Sequence, residues 1–402
     1  MTNPPPAKHF LHDPTHLVNS ALTSIPHTNP SVGLDLPNKT IYLRPDLQSA
    51  RNVSLISGGG SGHEPSFASF VGKGLLTASV AGTIFASPSA EQIRRCIQHH
   101  VEKEAGVLVI VMNYTGDVLN FGMAVEKARA RGAQVDMVVV GDDAGVGRAR
   151  GGKVGRRGIA GTTLVLKIAG ALAAQGAELR EVSRIARLAA GNIVSIGSSL
   201  SHVHVPGRGV ADLGEDELKE GEVEIGMGIH NEAGSERKTV ELPELVRTML
   251  AHCLDTSDKD RNFLEISPED EVVLLVNNLG GVSVLELGGI TNEVVEQLEQ
   301  TWNIRPVRIL AGTYMTSLNG LGFSITLLKL QDTGLGAGRS MLELLDAPAE
   351  ATGWTAPISS NTWLKRGASR KREDSVADEE FQPSNLSCKY FRGPSGSLTD
   401  IN

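Results

Sequence analysis

The sequence predicts an α/β fold of two α/β domains, the first built on a mainly parallel sheet covered on both faces and the second smaller. Three observations predict it. Short β-branched runs alternate with stretches of helical periodicity, the rhythm of βαβ units. Several of those runs are apolar throughout, as strands buried on both faces are. Glycine is abundant, 45 of 402 residues, while aromatics make up only 4%, which suits many tight strand-to-helix turns.

The elements follow in order. Val53–Ser57 (VSLIS) reads as a buried strand running into glycines, and Ser87–Ala105 as a helix with Ile93, Cys96, Ile97 and Val101 on one stripe. Val107–Asn113 and Val135–Gly141 are further apolar strands, with a helix at Asn120–Arg131 between them. Helices at Ile159–Gln175 and Leu179–Ala190 complete the first series. In the second, Glu222–Gly228, Glu271–Asn277, Val307–Gly312 and Phe323–Leu330 read as strands, and Leu242–Cys253, Asn292–Thr301 and Arg339–Leu345 as helices. The expected division is residues 1–200, residues 201–347, and a tail at 348–402. That tail is rich in Ser, Pro and charge, with Lys365, Arg366 and Arg370–Arg372 followed by acidic residues. It reads as a disordered linker, with a targeting signal in the basic cluster as the second reading.

Composition narrows the function. A net charge of −8 argues against nucleic acid as the main partner, because phosphate binding needs clustered Lys and Arg. No apolar run reaches the roughly 18 residues of a membrane span, and the first residues lack a secretory apolar core. Cys96, Cys253 and Cys388 are widely spaced, as reduced thiols in a cytoplasmic protein are.

Three glycine-rich segments invite a nucleotide reading. Gly58–Pro65 follows a strand, but His63 stands where the dinucleotide pattern needs its last glycine. Gly147–Lys153 fits GxxxxGK, yet Val154 follows in place of the Mg²⁺-binding hydroxyl. Gly312–Gly322 reads as a turn that brings backbone close to a neighbour. The first loop suits a small polyol with a carbonyl, since Gly60, Ser61 and Gly62 expose backbone N–H groups beside titratable His63 and Glu64. Glu64 has a second reading as the cap of a following helix.

Three residues stand out as chemically able. His63, Asp117 and His230 all fall at or just past strand C-termini, where open α/β sheets place ligands. A His and an Asp can serve as a general acid/base pair, and a neutral His can attack a carbonyl through a ring nitrogen. His202 and His204 have HxH spacing, which would put both on one face of a strand, but no third metal ligand lies nearby in sequence.

These segments resemble a known family. GGGSGHEP at Gly58–Pro65, FASP at Phe85–Pro88, NYTGDVLNFG at Asn113–Gly122, GDD at Gly141–Asp143 and GGKVGRRGIAGT at Gly151–Thr162 are similar to the dihydroxyacetone-binding K domain of dihydroxyacetone (glycerone) kinases. So are HVPGR at His204–Arg208, EIGMGIHNE at Glu224–Glu232, NNLGG at Asn277–Gly281, ELGGI at Glu286–Ile290 and GTYMTSLNGLGFSITLL at Gly312–Leu328, all in family order. The resemblance implies that His230 bonds to the carbonyl carbon of dihydroxyacetone or glyceraldehyde as a hemiaminal. It implies proton transfer by His63 and Asp117, with Gly60, Ser61, Gly62 and Ser87 around the substrate. It also implies a homodimer. Met112 stands where the family usually has a substrate-contacting lysine. No GDGD-type run occurs, so the resemblance implies that ATP and Mg²⁺ are bound by a separate domain. The competing readings are a catalytically inactive keto-sugar sensor or interaction protein, and a nucleotide-binding enzyme using Gly147–Lys153.

Overall fold

The computed structural model describes residues 9–207 and 217–366. Cys388, Arg208 and the charged run Arg370–Glu380 lie outside the described residues. The described residues up to 357 belong to one compact unit; the described residues 358–366 belong to a second and contain a short helix (α10, Ser360–Leu364). Among the described residues no helix is long and apolar enough to cross a membrane.

The first sheet holds β1 (Val32–Asp35), β2 (Thr40–Leu43), β3 (Ser54–Ser61), β4 (Ala78–Ile84), β5 (Val107–Met112) and β6 (Val135–Val140), in the order β1-β2-β4-β3-β5-β6. The β4–β3, β3–β5 and β5–β6 pairs are parallel, while β1–β2 and β2–β4 are antiparallel. Its helices are α1 (Pro14–Thr28), α2 (Ala90–His99), α3 (Thr115–Arg129), the single turn α4 (Arg148–Gly151), α5 (Thr162–Ala174) and α6 (Leu179–Gly191). Successive strand side chains face opposite ways, and the cores divide accordingly. Val107, Val109 and Val111 pack with α2 and α3, whereas Leu108, Ile110 and Met112 pack with α5 and α6.

The second sheet holds β7 (Ile193–Ser199), β8 (Glu222–Ile225), β9 (Glu236–Thr239), β10 (Val272–Asn278), β11 (Arg308–Gly312) and β12 (Gly322–Lys329), in the order β11-β10-β12-β7-β8-β9. Only β10–β11 is parallel among these pairs. Val272, Leu274 and Val276 join the core of α7 (Leu242–Leu254) and α8 (Val284–Gln300). Val273 and Leu275 point the other way, into the core of α5 and α9 (Met341–Asp346). Helix α5 is thus apolar nearly all round because both sheets cover it, and every residue from Thr162 to Ala173 is buried. Its one charged side chain, Lys167, donates from Nζ to the Leu344 carbonyl at 2.9 Å.

Several elements differ from expectation. The glycine run is no loop: β3 continues through Ser61. Helix α3 starts at Thr115, ahead of the expected Asn120, so Asp117 sits in its first turn. Helix α8 starts at Val284, ahead of the expected Asn292; Gly288 and Gly289 obscured it in the sequence, but Ser283 caps the end by accepting from the Glu286 N–H at 3.1 Å. The packed chain extends past residue 348. Ala351 is buried, and backbone bonds tie Glu350 to Lys73 and Gly353 to Ser69. Contacts made by backbone leave no periodic side-chain pattern to read.

Candidate functional site

Three parallel strands deliver the first half of the site. β3 leads to His63, β4 to Phe85–Ser87, and β5 through Asn113 to Asp117. β4 and β5 flank β3 on opposite sides, so the chain reverses direction across the sheet here. The crevice beyond such strand ends is where open α/β sheets bind ligands. His230 comes from the other sheet, on the turn after β8.

Glycine sets the close spacing. A Cβ on Gly58 would overlap the Val80 carbonyl oxygen, and one on Gly60 would lie 2.7 Å from the Ala86 nitrogen. Gly62 has φ +104°, and a Cβ there would lie 2.8 Å from the Phe85 ring. Side-chain-free backbone lets β3 and the Phe85 segment meet.

His63 is fully buried. Its Nδ1 lies 2.9 Å from the Thr316 carbonyl oxygen, and its Nε2 lies 2.9 Å from Nε2 of His230. The Phe85 ring stacks on it with centroids 5.3 Å apart. Burial, then the neighbouring His230 charge, pushes its pKa down to about 3, against the Thr316 carbonyl and Glu232. The Gly312–Gly322 segment is the turn the sequence suggested, and its neighbour is this loop: Thr316 N–H donates to the His63 carbonyl and Leu318 N–H to the Gly62 carbonyl.

His230 is held from several sides. Its Nδ1 lies 2.8 Å from Glu232 Oε1, and its backbone N–H donates to Glu232 Oε2. Tyr114 and Phe85 meet the ring edge-on, with centroids at 4.8 and 5.1 Å. Asn231 accepts from the Val203 N–H at 2.9 Å and donates to the Val203 carbonyl at 2.8 Å. The Ser317 hydroxyl donates to the Ile229 carbonyl.

Asp117 is buried, and its Oδ1 accepts from Ser87 Oγ at 2.6 Å. Oδ2 faces Gly59, 3.6 Å from where a Cβ would stand. Burial raises its pKa to about 6; the Ser87 hydrogen bond and the His230 charge pull the other way. A carboxyl with that pKa can accept a proton near neutrality.

His63, His230, Asp117, Ser87, Gly60 and Gly62 therefore come together beyond the ends of β3, β4 and β5. Ser61 differs, since its hydroxyl is committed to the Gly82 carbonyl at 3.0 Å and ties β3 to β4. Glu64 caps no following helix; its carboxylate accepts from the Gly62 N–H at 2.9 Å. His202 and His204 do not share a strand face, because residues 201–207 form no strand. His202 bonds Glu224 at 2.8 Å, and His204 Nδ1 lies 3.2 Å from His9 Nε2. Met112 is buried in the core beside α5. Glu232, Phe85, Tyr114 and Thr316 were missed as site residues. Each lies inside a motif already singled out, but only the fold shows where it points.

The Gly147–Lys153 loop does not fit a nucleotide phosphate. The Ala149 N–H at its turn already donates to Asp260 Oδ1 at 2.8 Å, and a Cβ on Gly147 would overlap that same carboxylate. The anion position of a phosphate loop is filled by the chain's own Asp260. No group of three or more His, Cys, Asp or Glu side chains among the described residues is placed to hold a metal ion.

Fold and site together define an α/β protein in which two facing imidazoles and a buried carboxyl gather beyond the ends of β3, β4 and β5. Residues 24–353 match the family described as the Dak1 domain, and the chain belongs to that family. It is 48% identical over 358 residues to a dihydroxyacetone kinase of Komagataella pastoris, covering 85% of this chain and 58% of that protein. It is 41% identical over 351 residues to a human triokinase/FMN cyclase, covering 87% and 58% respectively. The crystal structure of the dihydroxyacetone kinase of C. freundii superposes with a TM-score of 0.74 at 36% identity, over 88% of this chain and 61% of that one. The chain thus spans less than two thirds of the length of these relatives.

Proposed function

We propose that this chain is the substrate-capturing part of a dihydroxyacetone kinase. It holds dihydroxyacetone or glyceraldehyde as a hemiaminal on Nε2 of His230, for phosphoryl transfer from ATP and Mg²⁺ carried by a separate domain. The observation that carries the reading is the meeting of the two motif histidines, 167 residues apart in sequence, with their Nε2 atoms 2.9 Å apart. The names of the relatives support the substrate class. A hemiaminal needs a carbonyl, so glycerol is refused while short keto- and aldo-sugars are accepted. Covalent attachment fixes a small, mobile molecule that has little apolar area to bury, and so turns its later reaction into a near-intramolecular step. Asp117, with its raised pKa, is the base for the reacting hydroxyl, and His63 moves protons at the substrate oxygen.

Mixing the purified chain with the ATP-binding domain of a relative tests this. ATP-dependent phosphorylation of dihydroxyacetone should appear only in the mixture. Sugar binding without turnover in the mixture would favour the non-catalytic sensor. Full turnover by the chain without that domain would overturn the division of labour.

A further inference from the structure

We infer that Glu232 is the positioning residue that makes His230 a nucleophile: it holds the Nδ1 proton so that the Nε2 lone pair is free for the carbonyl, and it balances the charge the ring carries through capture. The inference rests on the capture reading of His230.

One carboxylate grips both ends of the same residue. Oε1 takes the ring Nδ1 at 2.8 Å, and Oε2 takes the His230 backbone N–H. This bidentate hold fixes the ring's orientation as well as its tautomer. The carboxylate packs where Gly228 leaves room: a Cβ there would overlap Oε2 and would lie 2.7 Å from Nη1 of Arg157. Arg157 is itself anchored, with Nε on Asp143 Oδ2 at 2.8 Å and Nη2 on the Gly226 carbonyl at 2.7 Å. Burial raises the Glu232 pKa, but the His230 hydrogen bond and the His230 and Arg157 charges outweigh it and leave it lowered. Glu232 is therefore an ionised acceptor, and the shared hydrogen must sit on His230 Nδ1.

The same logic applies across the contact. The Thr316 carbonyl can only accept, so His63 also carries its hydrogen on Nδ1. Two Nε2 lone pairs then face each other at 2.9 Å, a contact that needs one proton between them. Capture uses that shared proton. The Nε2 lone pair of His230 forms the N–C bond, the carbonyl π pair moves onto oxygen, and the oxygen takes the shared proton. The ring ends cationic, N-substituted at Nε2, with its Nδ1–H still on Glu232. The titratable groups around His230 that bear on this step are His63 from the β3 side, Tyr114 and Asp117 from the start of α3, and Glu232 from its own turn, with Arg157 behind Glu232.

The test uses ¹⁵N-histidine-labelled full chain, with Glu232→Gln and Glu232→Leu variants and the His230→Ala variant for assignment. In the wild type, the His230 nitrogen shifts should place the hydrogen on Nδ1. Glu232→Gln keeps an acceptor oxygen but loses the charge, so the Nδ1 tautomer should persist while dihydroxyacetone adduct formation slows by a few-fold. Glu232→Leu should mix the tautomers and slow dihydroxyacetone adduct formation by about tenfold or more. Unchanged His230 nitrogen shifts in Glu232→Leu, with capture within about twofold of wild type, would overturn the inference. The nitrogen spectra need no substrate. A wild type that forms no adduct while its variants still change tautomer would remove the capture reading and leave the role of Glu232 in place.

Discussion

Asp117→Asn should lower phosphoryl transfer in the complemented assay by about 100-fold or more, while dihydroxyacetone still forms its adduct. Asparagine keeps the oxygen that accepts from Ser87 but cannot take a proton from the substrate hydroxyl. The same change should stabilise the fold above pH 6. The folded pKa of Asp117 is about 6, raised from the ordinary carboxylate value by burial. The folded state therefore binds this proton more tightly than the unfolded chain does. The stability this group contributes is full below pH 4 and is lost as pH rises through about 6. Asparagine has no such loss, so the variant's advantage should grow from pH 4 to 6 and then stay flat, at about 2–3 kcal/mol. Urea denaturation at pH 4.5, 6 and 8 reads this directly. An activity loss without that pH-dependent gain would mean that Asp117 is not a buried, reluctant carboxylate.

The second large effect is on folding. Gly58→Ala should destabilise the chain by about 3 kcal/mol, because the added Cβ would overlap the Val80 carbonyl oxygen, a backbone atom of β4 that no rotamer change can move. Gly122→Ala makes the control. No atom stands within 4 Å of a Cβ there, and that glycine lies mid-helix in α3, so this variant should hold or gain stability. Equal denaturation midpoints for the two variants would show that β3 and β4 do not pack as described.

Much of the fold was legible in the sequence because both faces of the central strands are buried. Val107–Met112 reads as one unbroken apolar run since its odd and even residues feed two different cores. The short strands β1, β2 and β9 were not foreseen, nor were the central strands β4 and β7, whose Ala, Gly, Ser and Thr residues break the apolar run although both are largely buried. The starts of α3 and α8 were hidden by glycines. Gly116 lies beside Ser87, while Gly288 and Gly289 face open space, and none of them carries an apolar period. Within the site, His63, Asp117 and His230 were visible as reactive residue types at strand ends. Glu232 was not, because a carboxylate two residues from a histidine says nothing until the turn folds it back onto Nδ1. Phe85 likewise looks like an ordinary apolar residue, although φ +58° turns its ring over His63.

The central claim is that His230 forms a covalent bond to a small carbonyl sugar. Native intact-protein mass spectrometry after incubation with dihydroxyacetone measures it most directly. The wild-type chain should gain the full mass of one dihydroxyacetone, without loss of water, with fragmentation placing it on His230, glycerol should add nothing, and His230→Ala should add nothing. An adduct of equal yield on His230→Ala, or one located on another side chain, would contradict the account.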